Sequence, residues 1–203
     1  MLFEYSSNPH IRKHGPKGYA TYQGYKPWLR DEFVFRCAYC LTREVWYPNE
    51  QASFSTDHFI PQIIAPDQVL NYDNLVYACT RCNSWKQDYI VLDPSQVAMA
   101  QHIRVRDDGT IEALTLEATE HVQILGLDDP ILTNFRKRML NTLRRLQALP
   151  DEEAKELIRQ WFGFPDDLPN LIVLRPPQGN SRPEGVTNCY YKQRQMGQLP
   201  EIY

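Results

Sequence analysis

Two Cys-x-x-Cys pairs, Cys37-Ala38-Tyr39-Cys40 and Cys79-Thr80-Arg81-Cys82, lie 38 residues apart and enclose the dipeptide Asp57-His58. A Cys-x-x-Cys pair presents two sulfurs from one tight turn, and two such turns supply the tetrahedral thiolate set of a structural zinc. One pair alone could be a redox dithiol. Two at matched spacing point to Zn²⁺ held by Cys37, Cys40, Cys79 and Cys82, pinning distant segments of chain together. The fifth cysteine, Cys189, stands alone and reads as a buried or incidental thiol.

That reading requires reduced thiols. The N-terminal MLFEYSSNPHIRKHG has no apolar segment of the kind that drives secretion. No run of 18 apolar residues is present, so no membrane span is expected. The expectation is a cytoplasmic protein, where paired cysteines hold metal more often than they form disulfides.

The 203 residues suit a single core with appended segments. Residues 1–30, broken by Gly15, Pro16, Gly18 and Gly24, read as an irregular N-terminal arm. Residues 31–95 hold the cysteines and the Asp-His pair. Residues 96–164 read as a hairpin and helical extension: Ile103–Arg106 and Thr110–Leu114 flank the turn signal Asp107-Asp108-Gly109. Leu132, Phe135, Met139, Leu143 and Leu146 then mark one face of a helix, with Asp129 as its cap and Pro130 at its first position. A further helix is predicted over Asp151–Phe162, burying Ala154, Leu157, Ile158 and Trp161 and ended by Gly163 and Pro165. Residues 165–203, rich in proline, read as an extended tail.

The net charge of −3 neither requires nor forbids a nucleic-acid partner. Its distribution is uneven. Residues 1–30 carry Arg12, Lys13, Lys17, Lys26 and Arg30 against Glu4, and the stretch 136–145 carries Arg136, Lys137, Arg138, Arg144 and Arg145 without an acid. Either cluster is a solvated surface or a phosphate contact.

Between the cysteine pairs lie Phe54-Ser55-Thr56-Asp57-His58-Phe59-Ile60-Pro61 and Asn71-Tyr72-Asp73-Asn74-Leu75-Val76, and the second pair continues as Asn83-Ser84-Trp85-Lys86. Phosphodiester hydrolysis needs a water deprotonated near neutral pH, and positive charge on the phosphate oxygens. A histidine is the side chain best suited to the first task, which marks His58. In regular strand Asp57 and His58 would face opposite sides, a rule that relaxes at a strand end.

With Cys37, Cys40, Asp57, His58, Pro61, Asn74, Leu75, Cys79, Cys82, Asn83 and Lys86 in this order, the segment resembles the HNH endonuclease family. The resemblance covers about a third of the chain. It implies an α+β fold with a ββα-metal core stapled by a four-cysteine zinc, to which the hairpin and C-terminal helices are added. It implies DNA cleavage with His58 as general base and a catalytic divalent ion held by Asp57 and Asn83. Carboxylate and amide oxygens form a hard donor set, suited to Mg²⁺ or Mn²⁺. Asn74 matches the central asparagine that holds the loop carrying the base, and Arg81 and Lys86 are candidate phosphate contacts. The family's Gly-Gly turn is absent, because residues 62–70 contain no glycine. The hairpin, the segment Ile124–Leu127 and the arginine-rich helix resemble an extension on some bacterial HNH proteins. Several of those act in antiphage defence beside an ATPase or sensor subunit. Two other readings compete: a zinc-stapled nucleic-acid-binding module without cleavage, and a subunit inert until a partner delivers substrate.

Overall fold

The computed structural model describes residues 2–203. Helix α1 (Lys26–Glu32) has Pro27 in its first turn, where a missing amide costs nothing. Strands β1 (Phe54–His58) and β2 (Leu75–Cys79) form an antiparallel hairpin with Phe54 opposite Cys79 and His58 opposite Leu75. Strand β2 is buried at every position, and it runs directly into helix α2 (Thr80–Lys86). Cys79 makes that junction: its backbone is extended, and its sulfur accepts the Cys82 amide as a helix cap at 3.5 Å. This is the expected ββα unit.

The predicted second hairpin is present as β3 (Ile103–Val105) and β4 (Ile111–Ala113). Gly109 at its turn has φ +84°, and a Cβ there would lie 2.6 Å from the Thr133 carbonyl oxygen. Glycine is thus required twice over, by conformation and by close approach. Helix α3 (Leu116–Ile124), which the sequence reading missed, starts at Thr115, whose hydroxyl accepts the Ala118 amide. Helix α4 (Pro130–Gln147) has the Asp129 cap and Pro130 start expected of it. Helix α5 (Glu152–Phe162) is capped by Asp151 and buries Ala154 and Ile158. Trp161, expected in the core, is 47% exposed at the edge of the α4–α5 groove.

The terminal segments depart from the sequence reading. Residues 2–30, expected as an irregular arm that packs late or touches a partner, pack on the core. Leu2, Phe3, Tyr5, Tyr25, Trp28 and Leu29 are all buried, and α1 crosses the boundary expected at residue 30. The local positive charge is used internally. Arg12 donates to the carbonyls of Asp73 and Leu75, Lys26 to that of Gln51, and Arg30 pairs with Glu44 at 2.6 Å. The C-terminal segment forms two short helices, α6 (Glu184–Thr187) and α7 (Tyr190–Gln195). It packs on the N-terminal segment through a Pro16–Asn180 bridge and a close contact of Gly185, where a Cβ would meet the Lys13 carbonyl oxygen at 2.0 Å. Cys189 is fully buried. Among the described residues no helix is long and apolar enough to cross a membrane.

Buried carboxylates on α1 gather both ends of the chain. Asp31 accepts from His14 at 2.8 Å and from the Tyr190 amide at 2.8 Å. Glu32 accepts from His10, from the Lys13 and His14 amides and from the Tyr72 hydroxyl. Burial works to raise the Glu32 carboxyl, but these donors and the neighbouring Arg12 prevail and hold it down to about 2, against an ordinary 4.5. A depressed folded-state value means stabilisation that is complete above the unfolded value and lost as pH falls through the folded one. The Glu32→Gln variant is therefore expected to be less stable at pH 7 by on the order of 3 kcal/mol. In urea melts the gap to wild type should close between about pH 4.5 and pH 2; a gap independent of pH would contradict the assignment.

Candidate active site

The zinc knuckle forms where the chain leaves α1. Val34 and Phe35 take positive φ, and the Cys37 amide bonds the Thr42 carbonyl while Leu41 bonds back to Cys37. The Ala38 amide donates to the Tyr77 carbonyl at 2.8 Å, which sets this turn against β2. The second pair sits at the β2–α2 junction. All four cysteines are buried and free, with their sulfurs within 4.8 Å of one another.

Cys40 Sγ and Cys79 Sγ are 3.8 Å apart. That is far beyond a disulfide. It equals the edge of a tetrahedron of sulfurs about 2.3 Å from a central zinc, which is about 3.8 Å. Burial raises the Cys37 thiol, while hydrogen bonds from the other three sulfurs lower Cys79. Four thiols in so dry a site ionise together only around a cation. The donor set fits zinc.

Asp57 and His58 are consecutive in β1, and the pleat sends them to different surroundings. Asp57, 7% exposed, faces α2. Its Oδ2 accepts the Tyr39 hydroxyl at 2.7 Å and lies 3.8 Å from the Lys86 ammonium. Burial raises the Asp57 carboxyl above its usual range, against the Lys86 charge and the Tyr39 hydrogen bond. Burial likewise lowers Lys86, with Asp57 opposing. On the same side of β1, Asn83 Nδ2 donates to Ser55 Oγ at 3.0 Å. Asn83 and Lys86, one helical turn apart, thus lie across from Ser55 and Asp57, one strand repeat apart. Asn83 commits its NH₂ to Ser55, so its carbonyl oxygen is the atom that could meet a metal ion. Asp57 Oδ1 takes no side-chain hydrogen bond. Two hard oxygens on one face fit a magnesium-type ion.

His58 faces the turn Tyr22–Tyr25 and the connection 62–70. Tyr22 packs edge-on against its ring at 4.7 Å between centroids. Its Nε2 lies 3.0 Å from the Val69 carbonyl, which can only accept, so Nε2 carries the hydrogen. Nδ1 is then the basic nitrogen, and it accepts from Gln62 Nε2 at 3.1 Å. Asn74, 7% exposed, brackets the next residues: Oδ1 accepts the Ile60 amide, Nδ2 donates to the Ile60 carbonyl, and its own carbonyl accepts the Phe59 amide.

The two cations expected to meet phosphate are engaged elsewhere. Lys86 is fully buried and donates to the His58 carbonyl at 2.8 Å, so it braces the strand end instead of facing solvent. Arg81 donates to the carbonyls of Leu125 and Gly126 and stacks on Trp85, tying α2 to the end of α3. Tyr39, Gln62 and the Val69 carbonyl were not singled out by the sequence. Tyr39 reads there as a spacer between two cysteines, and the other two act through a connection whose course no motif describes.

Residues 37–88, about a quarter of the chain, match the family model described as HNH endonuclease. No curated protein matches the chain. The protein is expected to carry one zinc by elemental analysis, and Cys79→Ser to lose both that zinc and the cooperative thermal transition. Zinc-free protein that melts like wild type would remove the metal from the fold.

Proposed function

With residues 37–88 an HNH endonuclease domain, we propose that this chain hydrolyses phosphodiester bonds in DNA, with His58 Nδ1 as the general base. The observation that carries this reading is the fixed tautomer. Val69 holds the hydrogen on Nε2, and the lone pair of Nδ1 is directed at a polar amide instead of being closed off by apolar packing. A water in place of the Gln62 amide, or oriented by it, delivers its proton to Nδ1 as its oxygen attacks phosphorus and the bond to the leaving oxygen breaks. Asn74 keeps the backbone beyond His58 in place during that transfer.

Asp57 Oδ1 and the Asn83 amide oxygen are the ligands we assign to Mg²⁺ or Mn²⁺. When bound, that ion supplies positive charge to the phosphate and the leaving oxygen. Lys86 holds the other Asp57 oxygen and the His58 carbonyl, which fixes the geometry of both residues.

A partner-activated subunit is the second reading, favoured by one observation: Arg81 and Lys86, the cations nearest the site in sequence, are bonded within the protein. Substrate affinity must then come from more distant cations or from a partner such as an ATPase or sensor subunit. A cytoplasmic role in antiphage defence rests on the resemblance of the 109–146 extension alone.

In a supercoiled-plasmid assay with Mg²⁺ or Mn²⁺, wild type is expected to nick DNA and EDTA to stop it. The His58→Ala variant should lose about 10²–10⁴-fold in rate with zinc content unchanged. Asp57→Ala and Asn83→Ala should shift the metal titration to higher concentration. Unaltered turnover in His58→Ala would take that residue out of the reaction. Absence of cleavage by folded, zinc-loaded wild type would favour the partner-activated subunit.

A further inference from the structure

Asp57 is held by residues from two separate pieces of the domain, and one of them is the zinc knuckle itself. Tyr39 occupies the third position of Cys37-Ala38-Tyr39-Cys40 and is 1% exposed. Its backbone carbonyl accepts the Tyr5 hydroxyl at 2.8 Å, and its own hydroxyl crosses to Asp57 Oδ2 at 2.7 Å. Lys86, fully buried on α2, places its ammonium 3.8 Å from the same oxygen. Both side-chain donors therefore converge on Oδ2, and among the described residues no side-chain donor reaches Oδ1.

Resting on the metal reading above, we infer that Tyr39 and Lys86 are positioning residues forming a clamp on Asp57 Oδ2, which presents Oδ1 to the divalent ion and couples the zinc knuckle to the catalytic carboxylate. A carboxylate left free can rotate and bind an ion through either oxygen. A hydroxyl donor at 2.7 Å and a cation on the Oδ2 side remove that freedom, and the cation repels a second cation from that side. Groups that orient a ligand in this way commonly change metal affinity by about 10–100-fold when removed. The position of Tyr39 is set in turn by the two flanking cysteines and by the bond from Ala38 to Tyr77. The zinc site thus fixes one wall of the catalytic metal site as well as the fold.

The test is Mn²⁺ binding to the zinc-loaded full chain, followed by calorimetry, with zinc content measured on each sample. Tyr39→Phe removes the hydroxyl and keeps the ring. It is expected to weaken Mn²⁺ binding by about 10-fold or more while zinc content stays at the wild-type level. Tyr5→Phe is the control: it removes a buried hydroxyl from the same knuckle without touching Asp57, and it should leave Mn²⁺ affinity unchanged. Equal Mn²⁺ affinity in Tyr39→Phe and wild type overturns the clamp. So does an equal loss in Tyr5→Phe, which would mean general loosening of the knuckle.

Asp57→Ala separates this inference from the reading beneath it. Mn²⁺ binding that survives in Asp57→Ala, or its absence from wild type, removes the metal site and the clamp with it. Mn²⁺ binding lost in Asp57→Ala but intact in Tyr39→Phe removes the clamp alone. Should Tyr39→Phe not retain zinc, 3-fluorotyrosine at position 39 of otherwise wild-type protein serves instead. Its fluorine resonance must broaden when Mn²⁺ is added and stay sharp in the Asp57→Ala background; an unchanged linewidth in the wild-type background overturns the inference.

Discussion

Four sulfurs within 4.8 Å of one another join the turn after α1 to the point where β2 becomes α2. The rest of the domain depends on that junction. Strand β2 is buried along its whole length, so its direction fixes the direction of α2, and α2 carries Asn83 and Lys86 onto the face of β1 that bears Ser55 and Asp57. A helix of seven residues is too short to hold its own geometry in water. The sulfur of Cys79 caps it, Arg81 ties it to the end of α3, and the buried Lys86 fastens its last turn to the His58 carbonyl.

Around this junction several buried carboxylates are held by specific donors. Glu44 accepts from both Arg30 and Tyr77, Asp31 from His14, and Glu32 from four donors. An unpaired buried charge costs several kcal/mol, so each of these groups dictates where its partner must lie. Because α1 carries Asp31 and Glu32 and the partners come from residues 10–14, 72 and 190, the two ends of the chain are drawn onto the core. Burial of Leu2, Phe3, Tyr5, Leu171 and Cys189 in the core adds to this hold.

That difference explains what could be read from the sequence. The four-cysteine cluster, the α4 cap and the 107–109 turn follow from local spacing, where residue type and position state the physics directly, and the ββα unit follows from the family resemblance. The course of the terminal segments did not show in the sequence, because glycine and proline in residues 1–30 look the same in an arm that touches a partner and in a segment fixed by distant carboxylates. Trp161 was expected in the core from its helical position, yet that stretch of α5 lies at the edge of a groove where α4 and α5 cover each other only in part. Among candidate site residues, His58 stands out in the sequence by its chemistry, and Asp57 and Asn83 by the family resemblance. Tyr39 does not, because nothing in one sequence links the interior of a cysteine turn to a carboxylate 18 residues away.

Lys86 shows why residue type alone misleads at such a site. A lysine on a short helix beside a nuclease motif suggests phosphate contact, but complete burial against a carboxylate and a carbonyl makes it a structural cation. The same holds for Arg12, Arg30, Arg81 and Arg136, each bonded to backbone or buried acid. Exposed cations without an ion-pair partner among the described residues include Lys137, Arg138, Arg144 and Arg145 of α4, two of which, Arg138 and Arg145, line the α4–α5 groove. Attraction of a phosphate backbone grows with the number of free cations and falls with salt. Under the proposed nuclease reading, Arg81 and Lys86 serve the site's own architecture, and the hold on a polyanion falls to cations elsewhere on the chain or to another chain.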